Sequence, residues 1–327
     1  MNVAVIGAGS WGTGLAAHLA RCTHVVRLWA RDADLAREIS QRHENPRYLP
    51  GVPLPALHAT ADLGEASRDA QIAFVAVPSE FCRAVLRELG PHLGAGTIIV
   101  SATKGLELGS LRRMSEVAGE EVPGHPVAVL SGPSFALEVA QGQPTTVVVA
   151  SAALAVAEAV QRAVSSRSFR AYSSEDVVGV ELGGSLKNVI AIAAGIVDGL
   201  GYGHNTGAAL ITRGLAEISR LAVALGARPD TLSGLAGLGD LVLTCTGALS
   251  RNRRLGHALG AGHSIGEALA ELRMVAEGVR TTQAACALAE KAGVEMPIAQ
   301  QMRAVLYEGK PPREGVDELM LRTLKRE

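Results

Sequence analysis

Aromatic residues are scarce: Phe, Tyr and Trp make up 3% of the 327 residues. Interior packing must therefore come from Leu, Val, Ile and Ala, within a hydrophobic share of 48%. Basic stretches interleaved with aromatics, which hold single strands by stacking, are missing. Excess charge of one sign is missing too. The formal net charge of -1 argues against a nucleic-acid partner captured by bulk electrostatics. Only four cysteines occur, Cys22, Cys82, Cys245 and Cys286, with no CxxC pair and no histidine at ligand spacing. Structural zinc and a disulfide framework are not expected, and the thiols read as buried apolar groups. No basic segment followed by an apolar one precedes the first strand, and no apolar run approaches the ~20 residues that span a bilayer. These absences lead us to expect a soluble cytoplasmic protein without a membrane partner.

The chain does hold a strong local signal at its start. Residues 3–6 form an apolar run suited to a buried strand, followed at once by Gly7-x-Gly9-x-x-Gly12 and a helical stretch over 13–21. Strand, glycine turn and helix together form the context of a dinucleotide fingerprint. Gly7 makes the tight turn, Gly9 lets backbone approach a pyrophosphate, and Gly12 lets helix and strand pack closely. The helix N-terminus offers N–H groups and partial positive charge to phosphate.

Further strands are expected over 25–30, 72–77, 97–101, 127–130, 145–150 and 169–172. Helices are expected over 32–42, 79–90 (capped by Ser79) and 151–165, with a proline-rich loop over 45–55 replacing a regular crossover. This alternation predicts an α/β fold: an N-terminal Rossmann, doubly wound, mostly parallel sheet. From residue 177 no strand pattern remains. Helical periodicity covers 177–200, 207–225, 230–246, 251–259, 265–272, 278–292 and 297–308. Asn205 or Thr206 can cap the second of these, Gly226, Gly260 and Gly309 suit positions just past helix ends, and Pro297 suits a first turn. The expected division is therefore 1–176 for an NAD(P)-binding domain and 177–327 for an all-helical C-terminal domain carrying substrate binding and catalysis. The helical half is apolar enough for a homodimer.

The nicotinamide cofactor can be NADP(H) or NAD(H). An acid ending the second strand accepts from a ribose 2′-OH, whereas arginine suits a 2′-phosphate. Here the strand is followed by Arg31 and then Asp32, which tilts the reading towards NADPH.

Four constellations carry candidate chemistry. Thr103-Lys104-Gly105 follows a strand end, where α/β sheets bind ligands. Ser131-Gly132-Pro133-Ser134 does likewise; Ser134 can cap the next helix, and Gly132 with neighbouring N–H groups suits an anion or a hydroxyl. On the helix from 177, Gly184, Lys187, Ala191, Ala194 and Asp198 make a stripe of small residues with one lysine. Close packing would bury that lysine, and burial lowers an ammonium's pKa, so Lys187 is a candidate acid or base for a carbonyl/hydroxyl pair. The alternative is a lysine snorkelling at an interface. Ser250 reads as an N-cap that puts Arg251, Asn252 and Arg253 in a first turn, where cations oppose the helix dipole until an anion docks. Asp240, within Gly237-Leu238-Gly239-Asp240-Leu241, can cap a helix, accept from a substrate hydroxyl or accept from Lys187. No histidine stands at a telling spacing from an acid.

These residues resemble those of the bacterial-type NAD(P)-dependent glycerol-3-phosphate dehydrogenases, nearly end to end. Matching motifs include the glycine turn with Ser10 and Trp11, Asn45-Pro46-Arg47-Tyr48-Leu49-Pro50-Gly51, Ala76-Val77-Pro78-Ser79, Lys104-Gly105-Leu106-Glu107 and Ser131 to Ala136. They continue with Leu186-Lys187-Asn188-Val189, Gly237 to Leu241, Ser250-Arg251-Asn252 and Val275-Ala276-Glu277-Gly278. The resemblance implies cofactor contacts at Gly7, Gly9, Ser10, Trp11, Gly12, Arg31, Lys104, Ala136, Arg251, Val275 and Glu277. It implies substrate contacts at Lys104, Gly132, Ser134, Lys187, Asp240, Ser250, Arg251 and Asn252, with Lys187 as proton donor and acceptor and no metal. The implied activity is reversible reduction of dihydroxyacetone phosphate to sn-glycerol 3-phosphate with NAD(P)H, feeding glycerophospholipid synthesis. Two other readings stay open: a two-domain dehydrogenase acting on a 3-hydroxy acid, and a non-catalytic NADP-binding sensor.

Overall fold

The computed structural model describes residues 1–272 and 276–323. Two compact units form: Met1–Lys104 with Arg112–Glu181, and Gly105–Leu111 with Leu182–Glu327.

The first unit is built on an 8-stranded sheet. Its strands are β1 (Asn2–Ile6), β2 (Val25–Trp29), β3 (His58–Thr60), β4 (Ile72–Val75), β5 (Ile98–Ser101), β6 (Val127–Ser131), β7 (Thr145–Ala150) and β8 (Phe169–Ser174). They lie in the order β3-β2-β1-β4-β5-β6-β7-β8. Every neighbouring pair is parallel except β6 with β7. Seven helices accompany the strands: α1 (Ser10–Arg21), α2 (Ala33–Arg42), α3 (Leu63–Ser67), α4 (Ser79–Leu89), α5 (Met114–Glu121), α6 (Ala136–Ala140) and α7 (Leu154–Val164). Strand β1 is apolar throughout 3–6 because both of its faces are covered. Val3 and Val5 join a cluster with Leu15, Leu19, Leu28 and Phe74, while Ala4 and Ile6 join another with Val75, Leu86, Leu89 and Ile99. The order reverses at β1, between β2 and β4, the switch point where open α/β sheets bind ligands.

The expected elements are present, with additions. The additions are β3, a strand of only three residues after the proline-rich loop, and the helices α3 and α5. Two expected caps are displaced. Pro78, not Ser79, is the N-cap of α4, because its fixed φ of -57° and extended ψ end the loop there. Phe135, not Ser134, precedes α6; the Ser134 hydroxyl instead donates to the Gly132 carbonyl at 3.0 Å.

In the second unit no strand occurs among the described residues. Its helices are α8 (Val177–Gly199, whose first turns group with the sheet unit), α9 (His204–Ala224), α10 (Pro229–Ser233), α11 (Asp240–Thr246), α12 (Arg251–Gly260), α13 (Ile265–Leu272), α14 (Glu277–Ala292), α15 (Pro297–Tyr307) and α16 (Pro312–Met320). The expected single helix over 230–246 is broken by a π-helical turn, Leu235–Gly239. Gly203, not Asn205 or Thr206, is the N-cap of α9. Gly226 and Gly309 do follow helix ends with φ of +95° and +71°, but Gly260 is still helical and Gly262 takes the left-handed position instead. Contrary to the expectation of no long apolar run, α8 is long and apolar enough to cross a membrane, with a mean hydropathy of 1.5; that stretch is wholly buried in the fold.

Helices α8 and α12 meet backbone to backbone. A methyl group on Gly195 would sit 2.0 Å from the Arg253 carbonyl oxygen, and one on Gly256 would sit 1.9 Å from that of Ile192. Gly199 and Gly260 are packed likewise against His257 and Ile196. Small residues on facing positions allow this approach, and no larger side chain fits.

Candidate active site

In the sheet unit the glycine turn closes as a backbone knot. The Gly7 N–H donates to the Trp29 carbonyl at 3.0 Å with φ at +118°, and a methyl there would lie 2.8 Å from the Ala76 carbonyl oxygen. A methyl on Gly12 would lie 1.8 Å from the Gly7 oxygen, whereas one on Gly9 would meet nothing within 4 Å. Gly7 and Gly12 are thus needed for packing, and Gly9 faces open space at the N-cap of α1, whose first turn holds no acid. That combination suits a pyrophosphate. The Trp11 indole N–H is buried without a hydrogen-bond partner, a donor that a bound group can use.

The proline-rich loop is tied to this turn. Buried Asn45 donates to the Ala8 carbonyl at 2.9 Å and to Thr13 Oγ1 at 2.8 Å, and its own Oδ1 accepts from the Tyr48 N–H at 3.0 Å. Ser10 Oγ donates to the Tyr48 carbonyl at 2.8 Å. At the end of β2 the Arg31 guanidinium stands 5.5 Å from the Phe81 ring centroid. Asp32 caps α2 by accepting from the Asp34 and Leu35 N–H groups, and it pairs with Arg47 at 2.8 Å.

Beyond β5 and β6, Lys104 Nζ donates to the Gly132 carbonyl at 3.3 Å, so these two loops share one edge of the sheet. Ala136 opens α6, and its carbonyl lies 2.7 Å from where a methyl on Gly14 of α1 would be.

The helical unit carries a second cluster. Lys187 is buried and hydrogen-bonded to Asp240 Oδ1 and, at 2.8 Å, to Thr244 Oγ1. Thr244 in turn donates to the Asp240 carbonyl at 2.6 Å. Side-chain exposure is 6% for Lys187 and 1% for Asp240, so a charge removed from either would strand the other. Of the roles open to Asp240, that of partner to Lys187 is present and that of helix cap is not, since the N-cap of α11 is Gly239. The π turn just before it is tight enough to need glycine, since a methyl on Gly237 would lie 2.0 Å from the Leu232 carbonyl oxygen. Asp198, at the far end of the small-residue stripe, is exposed and pairs instead with Arg253 at 2.8 Å. Burial pushes the neighbouring Cys245 thiol up to about 12, which keeps it protonated.

Ser250 caps α12 as expected, accepting from the Arg253 N–H at 3.2 Å. Arg251 and Asn252 occupy the first turn, which holds no acid. Asn252 Oδ1 accepts from the Gly278 N–H at 2.9 Å, just past Glu277 at the start of α14. Val275 lies outside the described residues. Sequence reasoning did not single out Thr244 or the linking role of Asn45. Thr244 lies four residues after Asp240 on one helix face, which is the signal that points to it. Histidines do meet acids, His58 with Glu65 at 3.0 Å and His257 with Asp198 at 3.9 Å, but both pairs are on the surface, apart from these clusters.

Comparison with known proteins matches this arrangement to one family. Residues 2–157 match the model of the NAD-dependent glycerol-3-phosphate dehydrogenase N-terminus, and residues 176–317 that of its C-terminus. A glycerol-3-phosphate dehydrogenase (NAD(P)+) of Geobacter sp. (strain M21) is 54% identical over 100% of this chain and 98% of its own. The crystal structure of glycerol-3-phosphate dehydrogenase from Coxiella burnetii is 44% identical, with a TM-score of 0.95 over 98% of this chain and 99% of that one. A yeast glycerol-3-phosphate dehydrogenase structure is 29% identical, with a TM-score of 0.83 over 97% of this chain and 98% of that one. A ketopantoate reductase from Ralstonia eutropha, 16% identical with a TM-score of 0.59, shares the fold. With both halves matched in order and relatives covered at nearly full length, the chain belongs to the NAD-dependent glycerol-3-phosphate dehydrogenase family.

Proposed function

We propose that this protein is an oxidoreductase that reduces dihydroxyacetone phosphate to sn-glycerol 3-phosphate with NAD(P)H, reversibly, and supplies the product to glycerophospholipid synthesis. The observation that carries the mechanism is the buried Lys187–Asp240–Thr244 cluster, in one unit with an acid-free, arginine-bearing helix N-terminus. A nicotinamide dinucleotide held by the glycine turn would supply the hydride for the ketone carbon. Lys187 Nζ gives a proton to the oxygen that becomes the hydroxyl and stabilises the charge developing there. Asp240 and Thr244 fix the direction of that ammonium; in the reverse reaction Lys187 takes the proton back.

Ser250, Arg251 and Asn252 bind the substrate phosphate at the start of α12, so that a group remote from the reacting carbon orients it. Lys104, Gly132 and Ser134 hold the rest of the substrate. Gly7, Gly9, Ser10, Trp11, Gly12, Arg31, Lys104, Ala136, Arg251, Val275 and Glu277 contact the cofactor. A cofactor sensor has no need of a buried ammonium–carboxylate pair, whose desolvation is costly, and a 3-hydroxy-acid dehydrogenase has no need of a phosphate-binding helix start.

The test follows cofactor absorbance after dihydroxyacetone phosphate is added, in parallel with an unphosphorylated analogue. Oxidation with the phosphorylated ketone is expected, together with a raised KM in Arg251→Ala. Intact cofactor binding without turnover, or equal use of the unphosphorylated analogue, would overturn the assignment.

A further inference from the structure

Resting on that reading, we propose that Arg47 is a specificity-determining residue which, with Arg31, grips the 2′-phosphate of NADP(H), and that Asp32 serves to place Arg47 rather than to bind a ribose hydroxyl. An acid after the second strand of a Rossmann sheet ordinarily accepts from the ribose 2′-OH and so selects NAD. Asp32 is the first acid past β2, but its oxygens are already engaged. Oδ1 accepts from the Asp34 and Leu35 N–H groups at 2.9 and 3.2 Å as the cap of α2, and Oδ2 accepts from Arg47 Nη1 at 2.8 Å. Those same bonds hold the Asp32 carboxyl below its usual range, the Leu35 N–H first and Arg47 next. A carboxylate so employed accepts a ribose hydroxyl only by giving up a cap or an ion pair.

Two guanidinium groups therefore flank the strand end: Arg31, adjacent to Asp32 in the chain, and Arg47, bonded to it. Arg47 does not ride on a loose loop. Two residues earlier Asn45 is buried and bonded to Ala8 and Thr13, and one residue later the Tyr48 carbonyl accepts from Ser10. These partners belong to the glycine turn and the first turns of α1, so Arg47 is registered to the segment that takes the cofactor's pyrophosphate. Its side chain keeps 53% of its surface exposed, leaving N–H groups able to reach a second anion. The planar Arg47 guanidinium, held by the Asp32 carboxylate and also hydrogen-bonded to the Tyr48 side chain, presents its remaining N–H groups in a fixed fork, which suits a phosphate monoester and gives nothing comparable to a neutral hydroxyl.

The experiment measures equilibrium binding of NADPH and NADH by nicotinamide fluorescence, and of the fragments 2′,5′-ADP and 5′-AMP by calorimetry, on the full chain and on Arg47→Ala. The full chain should bind NADPH and 2′,5′-ADP about tenfold or more tighter than NADH and 5′-AMP, as expected for charge-assisted hydrogen bonds. Raising the salt should narrow the gap. Arg47→Ala should lose most of that ratio through weaker binding of the 2′-phosphorylated ligands, with NADH held as well as before or better because Asp32 is released. A ratio near one in the full chain, or an unchanged ratio in Arg47→Ala, would overturn the proposal. So would equal weakening of both dinucleotides, which marks a purely structural residue. Failure of the full chain to bind either dinucleotide would instead sink the dehydrogenase reading itself.

Discussion

Replacing Lys187 with alanine while Asp240 keeps its charge should do two separable things. Turnover should fall by about 10²–10⁴-fold, the usual contribution of a positioned proton donor. The helical unit should also lose about 3–5 kcal/mol of stability, because a carboxylate with 1% of its side chain exposed is left without its cation. Thr244 cannot compensate, since its hydroxyl already donates to the Asp240 carbonyl. In a domain of this size each kcal/mol moves the melting temperature by about 2–4 °C, so the single variant should melt about 6–20 °C lower. Adding Asp240→Asn should restore much of that loss and none of the turnover. A double-mutant cycle by denaturant unfolding and steady-state kinetics reads both effects. Strictly additive stability changes would refute the coupling of the pair, and recovery of turnover in the double variant would refute Lys187 as the proton donor.

Three other outcomes are expected. Burial holds the Glu217 carboxyl up at about 7 although it accepts from the Ile298 N–H at 2.7 Å. The folded chain thus retains a proton that the unfolded chain gives up near its ordinary 4.5. The contribution, about 3 kcal/mol, is complete below that ordinary value and is lost as pH rises through about 7; unfolding of Glu217→Gln should show a flatter slope across this window. Gly256→Ala should destabilise by about 3 kcal/mol or more and raise KM, because α12, which carries Ser250 to Asn252, must move off α8; unchanged melting and KM would contradict the close crossing. Asn45→Ala should weaken binding of both dinucleotides about tenfold, as hydrogen bonds joining loop and glycine turn vanish, each worth about 0.5–1.5 kcal/mol; titration of each dinucleotide checks this.

Much of the architecture is legible from local pattern alone. Residues 3–6 and the three glycines announce β1, the turn and α1 because the strand is buried on both faces and the glycines are spaced by the turn itself. Strand β3 is too short to show a period, and it exists through pairing with β2, 31 residues away in the chain. Ser79 and Ser134 look like caps because hydroxyls favour such positions, but Pro78 and Phe135 take the extended backbone that starts each helix. The apolar run over 230–246 reads as one helix since composition cannot reveal that Gly237 is pressed against Leu232. At the candidate site, the small-residue stripe foretells the burial of Lys187, and Asp240 stands among its candidate partners. Asn45 escapes notice because its linking role arises from tertiary hydrogen bonds that no spacing encodes, whereas Thr244 is marked only by standing four residues after Asp240 on one helix face.

The glycine crossing of α8 and α12 has a consequence for how far the helical unit can be remodelled. Helices separated by side chains can change their spacing by swapping one residue for another, or by rotamer motion at ordinary temperature. Here peptide groups touch peptide groups, so there is nothing left to trim and nothing that can swivel. The spacing of α8 and α12 is a fixed ruler, calibrated in main-chain atoms. On the proposed function, redesign towards a longer or shorter ligand must then act on side chains and leave that crossing alone, because tampering with it is expected to show as unfolding before it shows as altered selectivity.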